Sequence, residues 1–209
     1  ATKSGLLMLP LIFGLLVASI GSGRAISHTG KYRVFPIIGS ILVICGVWLL
    51  SHVDVTTPQW LLSIWMFIVG LGIGSSLQVT TIAAQDTVHP RDLGTATSTI
   101  VFFRTIGSTI GTAILGAILT TRFAAHLAEL MPGGTNSFSI HDGLDFAQIH
   151  NLPPALAANV LQAFNAAFQD VFLWTLPFAV LALLVALFLK DQPLRSDARE
   201  FAKGEALGL

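Results

Sequence analysis

DLGTATSTIVFFRTIGSTIGTAILGAILTT, residues Asp92–Thr121, is the stretch on which the reading of the whole chain turns. Between Val101 and Leu119 every residue is apolar or small except Arg104. That run is about 19 residues, close to the ~20 an α-helix needs to cross the hydrocarbon core of a bilayer. A guanidinium facing lipid inside such a helix costs several kcal/mol, so Arg104 is expected to face protein or a water-filled path. At about 100° per residue, Thr97, Arg104, Ser108 and Gly111 fall in one narrow sector, and Phe102, Ile106, Ile110, Ala113 and Ala117 lie opposite. The expectation is a helix with a small, polar face turned on its neighbours and a greasy face turned to lipid.

Composition extends this reading to the rest of the chain. Of 209 residues, 53% are hydrophobic and 11% are charged, and the mean hydropathy is +0.76. A soluble domain is about a quarter charged. Continuous apolar runs of spanning length recur, so the fold class is an all-α membrane protein rather than a β-barrel, whose strands alternate. The formal net charge is zero, which gives no basis for nucleic acid as a partner. Cys45 is the single cysteine, so no disulfide within the chain and no cysteine-based metal site is expected. The opening ATKSGLLMLPL has no initiator Met and reads as the start of a piece of a longer protein.

Five transmembrane helices are expected, at about 5–26, 34–50, 60–82, 94–121 and 171–189. Gly21, Gly23 and Gly30, with Arg24, Lys31 and Arg33, mark a tight, positive connection after the first span. Trp60 and Trp65 are interfacial anchors. Residues 122–169 are expected to form a long polar loop. Within it, apolar residues at 156, 160, 164 and 168 suggest a short amphipathic helix leading into the last span. Residues 190–209 form a mixed-charge tail. If the Gly21–Arg33 loop is cytoplasmic, that side also receives Arg91 and the four tail cations, whereas the opposite side holds only Lys3 and Arg122. The positive-inside rule then makes 122–169 extracytoplasmic and the tail cytoplasmic.

Two stretches carry a family resemblance. Gly23-Arg24-Ala25-Ile26-Ser27-His28-Thr29-Gly30-Lys31-Tyr32-Arg33 resembles the cytoplasmic-loop signature of the major facilitator superfamily, with two glycines seven apart followed by cations. Ser27 stands where that loop often has an acidic residue. The ordered set Gly70-Leu71-Gly72-Ile73-Gly74, Gln85, Asp92–Thr97, Phe102–Gly107, Gly111 and Leu189–Arg195 resembles the C-terminal part of the fourteen-span EmrB/QacA type of drug:proton antiporter. The resemblance implies that these helices are the C-terminal portion of a major facilitator bundle in the plasma (inner) membrane. It also implies missing N-terminal helices as intramolecular partners, and a small amphipathic substrate exported in exchange for protons. A non-transporting membrane scaffold or subunit is the alternative reading.

The candidate site residues follow. Arg104 either lines the substrate path or braces the bundle through backbone carbonyls. It cannot carry a transported proton, since arginine stays protonated. No Asp or Glu lies within the five expected spans. Gly74, Gln78, Thr81 and Gln85 form a polar stripe, so Gln78 and Thr81 join Arg104 and Ser108 as path-lining or bracing residues. Gly70, Gly74, Gly107 and Gly111, in two Gly-xxx-Gly pairs, allow close helix packing. Gly23, Gly30, Lys31 and Arg33 are either a topology signal or, through the resemblance, a cytoplasmic gating loop. His28, His52, His89, His126, His141 and His150 read as loop residues at irregular spacings. No metal, no cofactor and no catalytic residue is expected, because the spans hold no nucleophile–base pair or ligand cluster.

Overall fold

The run Gly70-Leu71-Gly72-Ile73-Gly74 explains how the helices assemble. Successive helical residues turn by about 100°, so Gly70 and Gly74 share one face and Gly72 points to the other. A computed structural model, which describes residues 2–29, 32–54, 56–86, 88–130 and 154–189, has both faces gripped. The described elements are α1 (Thr2–Thr29), α2 (Val34–Leu50), α3 (Gln59–Asp86), a 3-10 turn at Pro90–Asp92, α4 (Leu93–Leu130) and α5 (Pro154–Leu187). All five long elements are helices, and among the described residues there is no strand.

α3 lies between α1 and α2. A side chain at Gly70 would collide with the Leu11 carbonyl, and one at Gly74 with the Leu15 carbonyl. On α1, Gly14 faces the Phe67 carbonyl in the same way. On the opposite face, Gly72 meets Gly39 and Val43 of α2, and Gly46 meets Val69. Lipid supplies no hydrophobic drive between helices, so the close backbone approach that glycine permits is a main source of attraction there. α5 packs on α2, and α4 packs mainly on α5. Across the bundle the order is therefore α1, α3, α2, α5, α4, with α4 outermost.

Three small apolar clusters fill the contacts. Ile26, Tyr32 and Val79 are buried together at the α1–α2 end of the bundle, with Leu189 packed against them. Val47, Leu50 and Val69 are buried nearer the α2–α3 end. Phe123 and Leu127 of α4 pack on Val160, Ala163 and Ala167 of α5. α5 is also tied near its middle and at its C-terminal end. Asn165 Nδ2 and Gln169 Nε2 both donate to the Val53 carbonyl in the α2–α3 connection. At the C-terminal end, Arg33 Nη2 donates to the Leu187 carbonyl at 2.8 Å, where the α5 helix ends and carbonyls lack intrahelical partners.

Several boundaries differ from the sequence expectation. α1 continues to Thr29, so Gly21 and Gly23 lie inside a helix and not in a turn. A helix tolerates them where neighbours supply the packing. Gly23 sits against the Gln78 side chain of α3. Of the expected loop, only residues 30–33 remain between α1 and α2, and Gly30 and Lys31 lie outside the described residues. α3 runs to Asp86, so Gln85 is helical. The expected loop at 122–169 is corrected at both ends, because α4 runs on to Leu130 and α5 begins at Pro154. Residues 131–153 and the tail lie outside the described residues. The short amphipathic helix and the last span are one continuous helix with Pro177 inside it. Pro154 stands at its first position, where a missing N–H is harmless, and no glycine interrupts residues 155–187.

Four helices are long and apolar enough to cross a membrane, and α2, with 17 residues, is a shorter apolar helix. At 1.5 Å per residue the 38 residues of α4 extend about 57 Å. A bilayer core is about 30 Å thick, so one or both ends of α4 stand clear of it. The chain is an all-α, multi-pass membrane protein.

Candidate functional site

Between α2, α3, α4 and α5 lies a cavity of about 600 Å³. That volume falls within the range of small-molecule sites, about 300–1,000 Å³. Its apolar wall includes Val43, Ile73, Leu77, Ile100 and Phe103. Its polar lining is Ser40, Ser76, Thr80, Thr99 and Arg104. Each hydroxyl donates to a carbonyl of its own helix: Ser40 to Pro36, Ser76 to Gly72, Thr80 to Ser76 and Thr99 to Thr95, at 2.7–3.2 Å. A hydroxyl that has spent its proton this way still presents oxygen lone pairs. The cavity therefore offers acceptors from three helices and one strong donor set, the guanidinium of Arg104, on a largely apolar surface. Such a lining suits a molecule with a greasy body and a few polar atoms.

Arg104 makes no hydrogen bond or ion pair with any described residue, and it is exposed with respect to them. Its placement refines the expected helix face. Residues 101–110 of α4 are all exposed on every side, so the division into one inward and one outward face does not hold there. The side toward the bundle is marked by Ile100, Leu115, Leu119, Phe123 and Leu127, with Arg104 reaching the cavity from its edge. Ser108 is exposed and donates to the Thr105 carbonyl of its own helix.

The polar stripe of α3 turns away from the cavity. The Gln78 carbonyl oxygen accepts from Ser19 of α1 at 3.2 Å. Thr81 donates to its own helix at Leu77, and Gln85 donates to Thr97 of α4 at 3.1 Å. Gln78 and Thr81 are therefore not among the cavity-lining residues, and their neighbours Ser76, Leu77 and Thr80 are. Ser40, Ser76, Thr80 and Thr99 escaped the sequence reading. A Ser/Thr pair four apart, as at 76 and 80, was the available signal, but it also describes hydroxyls that merely back-bond in a membrane helix.

The glycines divide. Gly70 and Gly74 make the close approaches described above, whereas a side chain at Gly107 or Gly111 would meet nothing within 4 Å. The close-packing role expected for Gly107 and Gly111 has no counterpart among the described residues, because no described helix lies over that face. Of the expected loop set, Arg33 caps α5 and Gly23 packs on Gln78. His126 is not a loop residue. It lies in α4 and bonds to Asp170 of α5, and Asp170 sits one residue before the expected span but well inside a helix. Among the described residues no group of three or more His, Cys, Asp or Glu is arranged to hold a metal.

No family model matches the chain. An uncharacterised MFS-type transporter of Mycobacterium tuberculosis is 35% identical over 207 residues, covering 98% of this chain and 30% of the relative. Multidrug resistance protein 3 of Bacillus subtilis is 28% identical over 207 residues, with 95% of this chain and 40% of the relative covered. The multidrug transporter protein MdtP of the same organism is 26% identical over 226 residues, covering 96% and 41%. The chain thus spans 30–41% of the length of these relatives. Together with five apolar helices and no strand among the described residues, these matches support membership of the major facilitator superfamily.

Proposed function

We propose that the chain is the C-terminal part of a secondary transporter of the EmrB/QacA type, which exports drugs or other small amphipathic molecules in exchange for protons. The cavity that joins Arg104 to four hydroxyl-bearing positions and an apolar wall carries this reading. The names of relatives, among them a multidrug resistance protein and a multidrug transporter, support the substrate class. In this reading Arg104 contacts substrate, and Ser40, Ser76, Thr80 and Thr99 accept hydrogen bonds from it. The Gly23–Arg33 segment lies on the cytoplasmic side, with Gly30, Lys31 and Arg33 at a gate. The unfilled face of α4, with Gly107 and Gly111, packs on N-terminal helices of the same protein. The membrane is the plasma membrane and the tail is cytoplasmic. No catalytic residue is proposed, in keeping with a transporter.

The test is efflux from a susceptible host alongside folded yield by detergent size-exclusion, using the full-length protein. Arg104→Lys keeps the charge but loses the planar fork that grips several acceptors at once. It is expected to leave folded yield intact and to lose export. Normal efflux in Arg104→Ala defeats the reading. Sidedness is checked by impermeant thiol labelling of intact cells. Asn136→Cys is expected to react and Thr29→Cys is not, and the reverse pattern inverts the proposed orientation.

A further inference from the structure

A second cavity, of about 360 Å³, lies where α5 passes the α2–α3 connection. Among the described residues it shares no lining position with the cavity that Arg104 reaches. On α3 the nearest lining residues of the two, Met66 and Ile73, are two turns or about 10 Å apart. Val47 and Val69, which lie between the two sets on their own helices, are buried against each other there.

α5 supplies one wall. Phe164, Phe168 and Phe172 recur every fourth residue and so line one stripe of that helix. The Phe164 and Phe168 rings meet edge to face with centroids 4.7 Å apart, and Phe172 follows Phe168 at 6.4 Å. Leu50 of α2 and Leu62 and Met66 of α3 form a second, aliphatic wall. Asn165 and Gln169 are also four apart, each one residue past a phenylalanine, so a carboxamide stripe borders the aromatic one. Both amides line the cavity and both donate to the Val53 carbonyl. A carbonyl oxygen only accepts, and it has two lone pairs. These two donors therefore fill it, and their orientation is fixed, with nitrogen toward Val53 and oxygen away. Asn165 Oδ1 and Gln169 Oε1 accept no hydrogen bond from any described residue.

We propose that this cavity is a second small-molecule site, for a two-ring aromatic molecule that carries one hydrogen-bond donor such as a phenolic hydroxyl. Size sets the ring count. An apolar cavity of about 150 Å³ takes one benzene, and this one has more than twice that volume. The lining sets the aromatic character, because the ring edges and faces of three phenylalanines and the polarisable sulfur of Met66 favour another ring. The amides set the donor. A lipid acyl chain entering here takes two carboxamide oxygens out of water and gives nothing back, whereas a hydroxyl restores a hydrogen bond to one of them. A molecule so placed touches α2, α3 and α5 at once, beside the Val53 junction. The site goes beyond the transport reading, since its occupancy requires no transport.

The test uses para-hydroxybenzophenone, two rings joined by a ketone with one phenol, on the full-length protein in nanodiscs. Under near-ultraviolet light the excited ketone takes a hydrogen from an adjacent C–H, and the two carbons then bond. The position of the adduct, read by peptide mass spectrometry, reports the site. Adducts are expected on Met66 and within residues 161–172. Excess naphthol, which has two rings and a hydroxyl but no ketone, is expected to compete them away. para-Methylbenzophenone, matched in size but lacking the donor, is expected to label these positions about three- to tenfold less, the worth of one hydrogen bond. Asn165→Leu and Gln169→Met each leave the other amide on Val53, and the one whose oxygen meets the phenol is expected to lose that preference. Equal labelling by the two probes, or labelling that naphthol does not reduce, identifies a greasy slot open to lipid and overturns the proposal. So do adducts confined to the Arg104 cavity, an absence of adducts because another segment of the full-length protein fills the space, and a preference that survives in both variants. Competed, donor-dependent labelling in a protein that exports nothing upholds this site and sinks the transport reading instead.

Discussion

α3 and α4 carry the same Gly-xxx-Gly spacing and use it in opposite ways. On α3, Gly70 and Gly74 let the backbone of α1 come into contact, and Gly72 does the same for α2 on the reverse face. On α4, Gly107, Gly111 and Gly116 have nothing within 4 Å of where a side chain would begin. The motif therefore encodes a smooth surface and not a partner. What a smooth surface becomes depends on whether another helix is within reach. For α3, α1 lies against one face and α2 against the other. For α4 the main neighbour among the described residues is α5, which takes the other side.

The sharpest way to break this comparison is to roughen both surfaces. Gly74→Leu drives a side chain into the Leu15 carbonyl and its neighbours, and overpacking of this kind costs about 3 kcal/mol or more where backbone must move. We expect folded yield of the full-length protein to collapse in detergent size-exclusion. Gly107→Leu is expected to leave most of that yield and to abolish efflux, because the face is free among these helices and is proposed to meet the remainder of the transporter. If Gly107→Leu matches Gly74→Leu in lost yield, the α4 face is a permanent packing surface of the same kind. If it has no effect on yield or efflux, the face looks onto lipid.

A smaller effect separates the ends of the helices from their middles. Asn165 and Gln169 converge on one carbonyl, so removing either leaves the Val53 oxygen an acceptor with the other amide. Gln169→Ala is expected to cost about 1 kcal/mol, the net value of an ordinary hydrogen bond, and Asn165→Ala,Gln169→Ala to cost more than the sum of the single changes. Thermal unfolding followed by aggregation onset measures both. Strict additivity would mean that the two amides act independently and that the α2–α3 connection is held by packing alone.

How much of this was legible depends on what each signal measures. Long apolar runs predict five helices, because a membrane demands continuous hydrophobic length, and the helix cores are where those runs lie. Helix ends are another matter, since hydropathy marks the bilayer and not the hydrogen-bond ladder. Residues 122–130, TRFAAHLAEL less its first Thr, look polar. Yet Phe123 and Leu127 are four apart and are the two buried residues of α4, a periodic signal hidden by its charged neighbours. On α5 the buried positions are Val160, Ala163 and Ala167, so the apolar stripe at 156, 160, 164 and 168 is shifted by a residue toward the large side chains. Alanine carries the close contact, and phenylalanine fills the flank. The cavity was the least legible feature. Arg104 announced itself by its cost in an apolar helix, but Ser40, Ser76, Thr80 and Thr99 are brought together only by the tertiary order of the helices.

Helix α5 has a mechanical consequence. Its 34 residues extend about 51 Å, and it is held to two connections between other helices, one near its middle and one at its C-terminal end. Near its middle, Asn165 and Gln169 hold the α2–α3 connection, and Asp170 holds α4. At the C-terminal end, Arg33 beside the α1–α2 turn clasps the last helical carbonyl. Pro177 lies between these two holds, and an interior proline removes a ladder hydrogen bond and lets the helix bend. The half of α5 between Asp170 and Leu187 is therefore a hinged strut, pinned at Val53 and at Arg33 and jointed at Pro177.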